Sequence, residues 1–138
     1  MAQHLKGQCL CGAVTVSARA EDAPRLRVCH CDMCQRHCSG GFFSIETEQA
    51  GLRIDGPVGV YESSDWAERG FCSLCGSTLY YRTPADGVRN LSAGLFDNAG
   101  NGDLTTEFYS DMCPQGYALA GQHSRLSATE TIALFAPK

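Results

Sequence analysis

The chain has 138 residues, of which 43% are hydrophobic and 19% are charged. This composition is typical of a folded globular protein and excludes a disordered or fibrous chain, and the length predicts a single domain over residues 1–138. The 11 basic and 15 acidic residues give a net charge of −4. This balance argues against a non-specific nucleic-acid binder, which needs a basic surface. No apolar run is long enough to cross a membrane, so no membrane partner is expected.

Nine cysteines are the unusual feature of the composition. Disulfide scaffolds are typical of small secreted proteins with an even number of cysteines. This chain has an odd number and no apolar signal segment at its start, which predicts a cytoplasmic protein whose thiols stay reduced. Metal-binding thiolates therefore explain the cysteine content better than disulfides do.

Short stretches of alternating apolar and polar residues run along the chain, and helical periodicity is nearly absent. In chain order, the predicted strands cover residues 13–17, 52–54, 58–61, 78–82, 89–94 and 107–109. Turn signals rich in Gly, Pro, Asp and Asn separate several of them. One helical turn is predicted at residues 32–37 and a short helix at residues 132–135, before which Ser127 and Glu130 have the spacing of a capping box. The chain is therefore predicted to be mainly β.

Eight of the nine cysteines fall in three clusters. The clusters are Cys9 and Cys11, then Cys29, Cys31, Cys34 and Cys38, then Cys72 and Cys75, while Cys113 stands alone. The third cluster is followed by a glycine and has the form of a zinc knuckle, since two intervening residues let both sulfurs point at one ion. The first two cysteines share a face if they lie on a strand. Spacing leaves open which pairs share an ion; one CxC and one CxxC pair closing a single site is the natural partition, because it leaves the middle cluster intact.

Cys29, Cys31 and Cys34 place three thiols within six residues, and three thiolates this close together need a cation. Three protein ligands leave a fourth position for water or substrate, which is typical of a reactive zinc site. Cys38 is an alternative fourth ligand, and its coordination would close the site and make it structural. An iron–sulfur cluster is a further alternative, but the first spacing differs from the ferredoxin pattern and Ser39 stands where that pattern has a proline.

Two residues beside the three cysteines are candidates for a supporting role. Arg36 lies two residues after Cys34, where it could contact an anionic thiol substrate; a solvated surface arginine is the alternative. His30 lies between two of the cysteines, and alternation turns its side chain away from the ion. Packing or a hydrogen bond behind the ligands is therefore expected for His30 rather than ligation.

These clusters, with the glycines around them, resemble those of the glutathione-dependent formaldehyde-activating enzyme family, which shares its domain with centromere protein V. The matching stretches are residues 7–14, 29–36 and 69–77, with softer matches at residues 94–97 and 129–130. The resemblance covers nearly the whole chain. It implies a small, mainly β domain of packed antiparallel sheets, called a β-tent, that is stapled by zinc.

Residue by residue, the resemblance implies two zinc ions per chain. Cys9, Cys11, Cys72 and Cys75 match the ligands of the structural zinc, and Cys29, Cys31 and Cys34 match those of the catalytic zinc. The implied activity is that of a carbon–sulfur lyase, which reversibly joins formaldehyde and glutathione to S-hydroxymethylglutathione. The implied partners are a small-molecule thiol and an aldehyde, with glutathione as the candidate co-substrate. A non-catalytic zinc-binding interaction module and a thiol-based redox or zinc sensor are the alternatives.

Overall fold

The computed structural model describes residues 2–136, which form eleven strands, two α-helices and three short 3₁₀ helices. The strands are β1 (Ala2–Gln8), β2 (Thr15–Glu21), β3 (Arg25–Cys29), β4 (Phe42–Ile45), β5 (Arg53–Asp55), β6 (Val58–Glu62), β7 (Glu68–Cys72), β8 (Thr78–Thr83), β9 (Val88–Ser92), β10 (Asp103–Phe108) and β11 (Ser124–Arg125). The helices are α1 (Asp32–Cys38) and α2 (Ala128–Phe135), and the 3₁₀ helices are Ala93–Leu95, Asp97–Asn101 and Ser110–Met112. The prediction of a mainly β chain is confirmed.

The strands form two sheets. The small sheet has three strands in the order β1-β2-β5, and the large sheet has eight in the order β11-β10-β3-β4-β9-β8-β7-β6. The small sheet is antiparallel, as predicted. The large sheet is antiparallel from β3 to β6, but β10 pairs in parallel with both β3 and β11. Parallel strands need a crossover connection, and the segment that contains the first two 3₁₀ helices carries the chain from β9 to β10.

The hydrophobic core combines residues of both sheets. On β2, alternation buries Val16, Ala18 and Ala20, whereas Arg19 and Glu21 are exposed, because successive side chains on a strand point to opposite faces. The large sheet contributes Ile45, Leu79, Tyr80 and Leu91 to the same cluster. The two sheets are therefore packed against each other, as the resemblance implies.

Both predicted helices are present. The capping box of α2 is complete: the Ser127 hydroxyl accepts from the Glu130 N–H at 3.1 Å, and the Glu130 carboxylate accepts from the Ser127 N–H at 3.1 Å. Across residues 2–136, no helix combines the length and the apolar character needed to cross a membrane.

Candidate metal centres

Four cysteines from two distant parts of the chain converge beyond the ends of β1 and β7. They are Cys9, Cys11, Cys72 and Cys75, and their sulfurs all lie within 4.8 Å of one another. The Sγ atoms of Cys9 and Cys11 are 3.6 Å apart, and those of Cys11 and Cys72 are 3.8 Å apart. Two thiolates on one tetrahedral zinc lie about 3.8 Å apart, from Zn–S bonds near 2.3 Å. We call this set the four-cysteine group; its geometry fits one ion and follows the partition that the spacing favours.

Each half of the four-cysteine group lies in a tight turn that ends in glycine. Gly12 and Gly76 both have a φ of +79°, a conformation that residues with a Cβ rarely adopt. The Gly12 N–H donates to the Cys9 carbonyl at 3.0 Å, and the Gly76 N–H donates to the Cys72 carbonyl at 2.8 Å. The Cys75 N–H also donates to the Cys72 sulfur at 3.4 Å. These turns aim both sulfurs of each half in the same direction.

A serine links the two halves of the four-cysteine group. The Ser77 hydroxyl lies 3.1 Å from the Cys75 sulfur and accepts from the Leu10 N–H at 3.0 Å. Hydrogen bonds from the Ser77 side chain and backbone lower the pKa of the Cys75 thiol to about 5. The group therefore already favours one thiolate, the form that binds a metal.

The second set of sulfurs comes from Cys29, Cys31 and Cys34, which we call the three-cysteine group. These sulfurs also lie within 4.8 Å of one another. Cys29 ends β3, Cys31 is the N-cap of α1, and the Cys31 sulfur accepts from the Cys34 N–H at 3.4 Å. Within the described chain, no further Cys, His, Asp or Glu joins this group. Three protein ligands leave one position of a tetrahedral ion for another ligand.

The three thiols cannot all ionise together without a cation. Hydrogen bonds from Cys29 and then Cys34 lower the pKa of the Cys31 thiol to about 2. The hydrogen bond between Cys29 and Cys31 also keeps the proton on Cys29, so it raises the pKa of the Cys29 thiol. A cation removes this conflict, because a coordinating thiol is deprotonated outright. The chemistry of the donor set thus fits a thiophilic ion such as zinc.

Cys38, the alternative fourth ligand, lies outside the three-cysteine group. It is the last residue of α1, and its sulfur lies 3.5 Å from Nδ1 of His37. Burial raises the pKa of its thiol. The structure therefore does not place Cys38 among the ligands of this group.

A buried arginine that sequence reasoning did not single out contacts the three-cysteine group. Arg69, on β7, is 2% exposed, and its Nη1 and Nη2 atoms donate to the Cys34 sulfur at 3.7 and 3.6 Å. Its guanidinium carbon lies 5.1 Å from the centroid of the Tyr81 ring. Its position three residues before Cys72, inside the third family-like stretch, is the only signal that could have indicated it.

His30 is turned away from the sulfurs, as alternation predicts. Its Nε2 atom lies 2.7 Å from one carboxylate oxygen of Glu107, and the other oxygen contacts the His123 ring and Nε of Arg125, the latter at 3.1 Å. Although burial opposes the charge of Glu107, the hydrogen bonds with His123 and His30 hold its pKa below the usual range. This buried network lies directly behind the three-cysteine group. No motif in the sequence indicated Glu107 or His123.

An open cleft of about 360 Å³ lies beside α1. It is lined by Asp32, Met33, Arg36, His37, Tyr61, Ser63 and Arg69. Arg36 is exposed there. None of the three cysteines lines this cleft, and Arg69, which contacts Cys34, is the residue that links the cleft to the three-cysteine group. A larger groove of about 710 Å³, along β1 and β2, contains none of the cysteines.

Comparison with known proteins gives concordant findings. The family model described as glutathione-dependent formaldehyde-activating enzyme matches residues 4–112, a range that contains both cysteine groups. A protein of Schizosaccharomyces pombe described as an uncharacterized lyase is 33% identical over 129 residues, which cover 92% of this chain and 93% of that protein. The crystal structure of a Rhodobacter sphaeroides protein has a similar fold, with a TM-score of 0.56 at 17% identity over 88% of this chain and 99% of that chain.

Proposed function

The chain belongs to the glutathione-dependent formaldehyde-activating enzyme family, and we propose that it is a zinc-dependent carbon–sulfur lyase acting on an adduct of an aldehyde and a thiol. The observation that carries the proposal is the three-cysteine group. Its sulfurs lie within 4.8 Å of one another, and no fourth Cys, His, Asp or Glu of the described residues completes the set. We propose that small molecules approach it from the cleft beside α1, whose lining includes Arg69, the residue that contacts Cys34.

In this proposal each cysteine group holds one zinc ion. Thiolate ligands select zinc over the hard cations magnesium and calcium, and a closed set of four is typical of a structural site. The four-cysteine group has this closed form and joins the two sheets. The three-cysteine group has the open form of a catalytic site. We therefore propose a structural role for the first ion and a catalytic role for the second.

The proposed reaction joins a thiol to formaldehyde. A sulfur–carbon bond forms, the carbonyl double bond becomes a single bond, and the proton of the thiol ends on the former carbonyl oxygen; the lyase direction reverses these changes. A free thiol has a pKa of about 8.5 and is mostly protonated at neutral pH. Zinc at the open site would supply the acidity that turns the incoming thiol into a thiolate. Cys29, Cys31 and Cys34 would hold the ion, and bulk water would take up and return the proton.

Arg36 is the proposed contact for an anionic thiol. It is exposed and lines the same cleft as the buried Arg69. A guanidinium binds carboxylates through paired N–H donors, and glutathione carries two carboxylates, which makes it the candidate co-substrate. Because the cysteines are free thiols, we propose that the protein acts in the reducing cytoplasm.

The first test is a metal measurement by elemental mass spectrometry on protein purified reduced and without chelator. We expect two zinc ions per chain and no iron. We also expect the protein to accelerate the exchange between formaldehyde and glutathione, which NMR measures. Cys31→Ser is the control, since it disrupts the three-cysteine group and leaves the four-cysteine group intact; it should retain one zinc and lose the acceleration. Two zinc ions without acceleration for any small thiol would contradict the proposal and favour a non-catalytic zinc module.

A further inference from the structure

We propose that Arg69 is the counter-charge of the three-cysteine group and a positioning residue for Cys34, an assignment that rests on the proposed metal at that group. Both terminal nitrogens of the guanidinium donate to one sulfur, at 3.7 and 3.6 Å. This arrangement requires a planar group with parallel donors, which arginine offers and lysine does not.

The burial of Arg69 requires an anion beside it, and sulfur is the partner that the structure offers. A buried charge without a partner is strongly unfavourable. Arg69 is 2% exposed, and no carboxylate of the described residues lies within ion-pair distance of it. On the paired strand β8, by contrast, Arg82 forms an ion pair with Glu68 at 2.8 Å. The charge of Arg69 is therefore balanced only when the cysteines beside it are thiolates.

The formal charges around the three-cysteine group also favour Arg69 as its counter-charge. Three thiolates and one divalent ion carry a net charge of −1, and the guanidinium brings this to zero. A neutral site repels an incoming thiolate less than a negative one does. The two N–H donors also fix the orientation of the Cys34 side chain, as hydrogen bonds behind a metal ligand do.

The fold holds Arg69 rigidly in this position. Arg69 pairs directly with Tyr81 in the antiparallel β7–β8 ladder, and the guanidinium packs on that ring. The same strand ends at Cys72, a member of the four-cysteine group. One strand therefore contributes to both cysteine groups, and the closed group anchors the strand that supplies the counter-charge to the open group.

The test compares zinc retention in Arg69→Met and Arg69→Gln with that in the parent chain. Met keeps the length of the side chain without charge or donors, and Gln keeps a donor without charge, so either variant is informative if the other does not fold. Each chain is loaded with two zinc ions and titrated at fixed pH with a chromogenic chelator, pyridylazoresorcinol. We expect one zinc to be lost about 10–100-fold more readily in both variants, while the zinc of the four-cysteine group is retained as in the parent. Arg69→Lys keeps the charge and should therefore retain this zinc better than Arg69→Met and Arg69→Gln do.

The matched control is Arg89→Met. Arg89 also stacks on a tyrosine, with its guanidinium carbon 5.6 Å from the centroid of the Tyr80 ring, but no hydrogen bond to a cysteine is found for it. The Arg89→Met protein should retain both zinc ions as the parent does. Unchanged retention in Arg69→Met or Arg69→Gln would overturn the assignment, as would equal loss of both ions, since that indicates a role in folding alone. A parent chain that binds only one zinc would instead remove the premise and overturn the proposed function with it.

Discussion

Cys72 and Cys31 belong to different cysteine groups and differ in burial. Cys72 is 0% exposed and lies in the hydrophobic core, whereas Cys31 is half-buried at the start of α1. We expect Cys72→Ser to give unfolded or insoluble protein, because a structural zinc contributes about 10–16 kcal/mol and a whole domain is stable by only about 5–15 kcal/mol. Cys31→Ser should fold and lose activity. Circular dichroism and limited proteolysis measure this difference; a folded, protease-resistant Cys72→Ser protein would contradict the structural role.

Gly76 tests the turn that aims two sulfurs of the four-cysteine group. Its φ is +79°, and a Cβ added there would meet no atom within 4 Å, so the cost of Gly76→Ala is backbone strain alone. We expect a loss of about 1–2 kcal/mol in the free energy of unfolding, measured with urea on zinc-loaded protein. Gly116→Ala is the control: its Cβ also meets nothing and its φ is not positive, so it should stay within about 0.5 kcal/mol of the parent.

Local spacing could predict the cysteines of the site but not the charges around them. The structure groups the same seven cysteines that the sequence pattern selected, because CxC and CxxC spacings act over a few residues. Arg69 contacts a cysteine 35 positions away, and Glu107 contacts a histidine 77 positions away. Such partners are decided by strand pairing, which a single sequence does not display. Arg36 was predicted to have a role because it is close to Cys34 in the sequence, whereas Arg69 contacts Cys34 in the folded chain.

At the scale of elements, Glu107 ties three neighbouring strands together. It lies on β10, bonds to His30 just after β3, and bonds to His123 and Arg125 at β11. Removing one member of a buried charged network costs about 3–5 kcal/mol, so we expect Glu107→Ala to lose that much in urea unfolding. Glu48→Ala is the matched control, since Glu48 forms an exposed ion pair with Arg19 at 3.4 Å and should cost about 0–1 kcal/mol.

The same carboxylate gives a pH dependence with a definite sign. The pKa of Glu107 is held below its ordinary value of 4.5 by His123 and His30 against the effect of burial. The folded state therefore favours the ionised form, and this contribution to stability is fully present above pH 4.5 and is lost as pH falls through the lowered pKa. We expect the stability difference between parent and Glu107→Gln to shrink as pH falls below 4.5. A difference that grows on acidification would contradict the network as described.

Alternation of apolar and polar residues accounts for most of the predicted strands, and β1 and β4 were missed because they lack it; β3 was missed although Arg25, Leu26, Arg27 and Val28 do alternate. β2, β5, β6, β8, β9 and β10 overlap predicted strands. In β1, Leu5 is the one buried residue, so hydrophobic alternation cannot be seen. β4 buries Phe42, Ser44 and Ile45, and its four residues are too few to show an alternation of apolar and polar side chains. The parallel pairing of β10 is a long-range feature that no local pattern contains.

At the scale of the whole molecule, the four-cysteine group joins the two sheets. Cys9 and Cys11 follow β1 of the small sheet, whereas Cys72 ends β7 of the large sheet and Cys75 follows it. Both Cys9 and Cys72 also belong to the hydrophobic core between the sheets. An ion held by these sulfurs thus reinforces the same interface that the apolar residues form. The three-cysteine group runs from the last residue of β3 into α1 and joins no such pair of sheets.

This difference predicts an order of unfolding when metal is removed. The small sheet buries its apolar face, including Val16, Ala18 and Ala20, in the core shared with the large sheet, so separation of the two sheets would expose that face to water. We expect a strong chelator under reducing conditions to raise amide hydrogen exchange first in β1, β2 and β5, with the central strands β4, β8 and β9 protected longest; exchange followed by mass spectrometry measures this order. Cys31→Ser loaded with one zinc is the control and should keep the small sheet protected. Because loss of this ion finally unfolds the whole chain, the order is read at early times. Simultaneous loss of protection in both sheets would contradict the order, and unchanged protection in β1 and β2 would mean that apolar packing alone holds the sheets together.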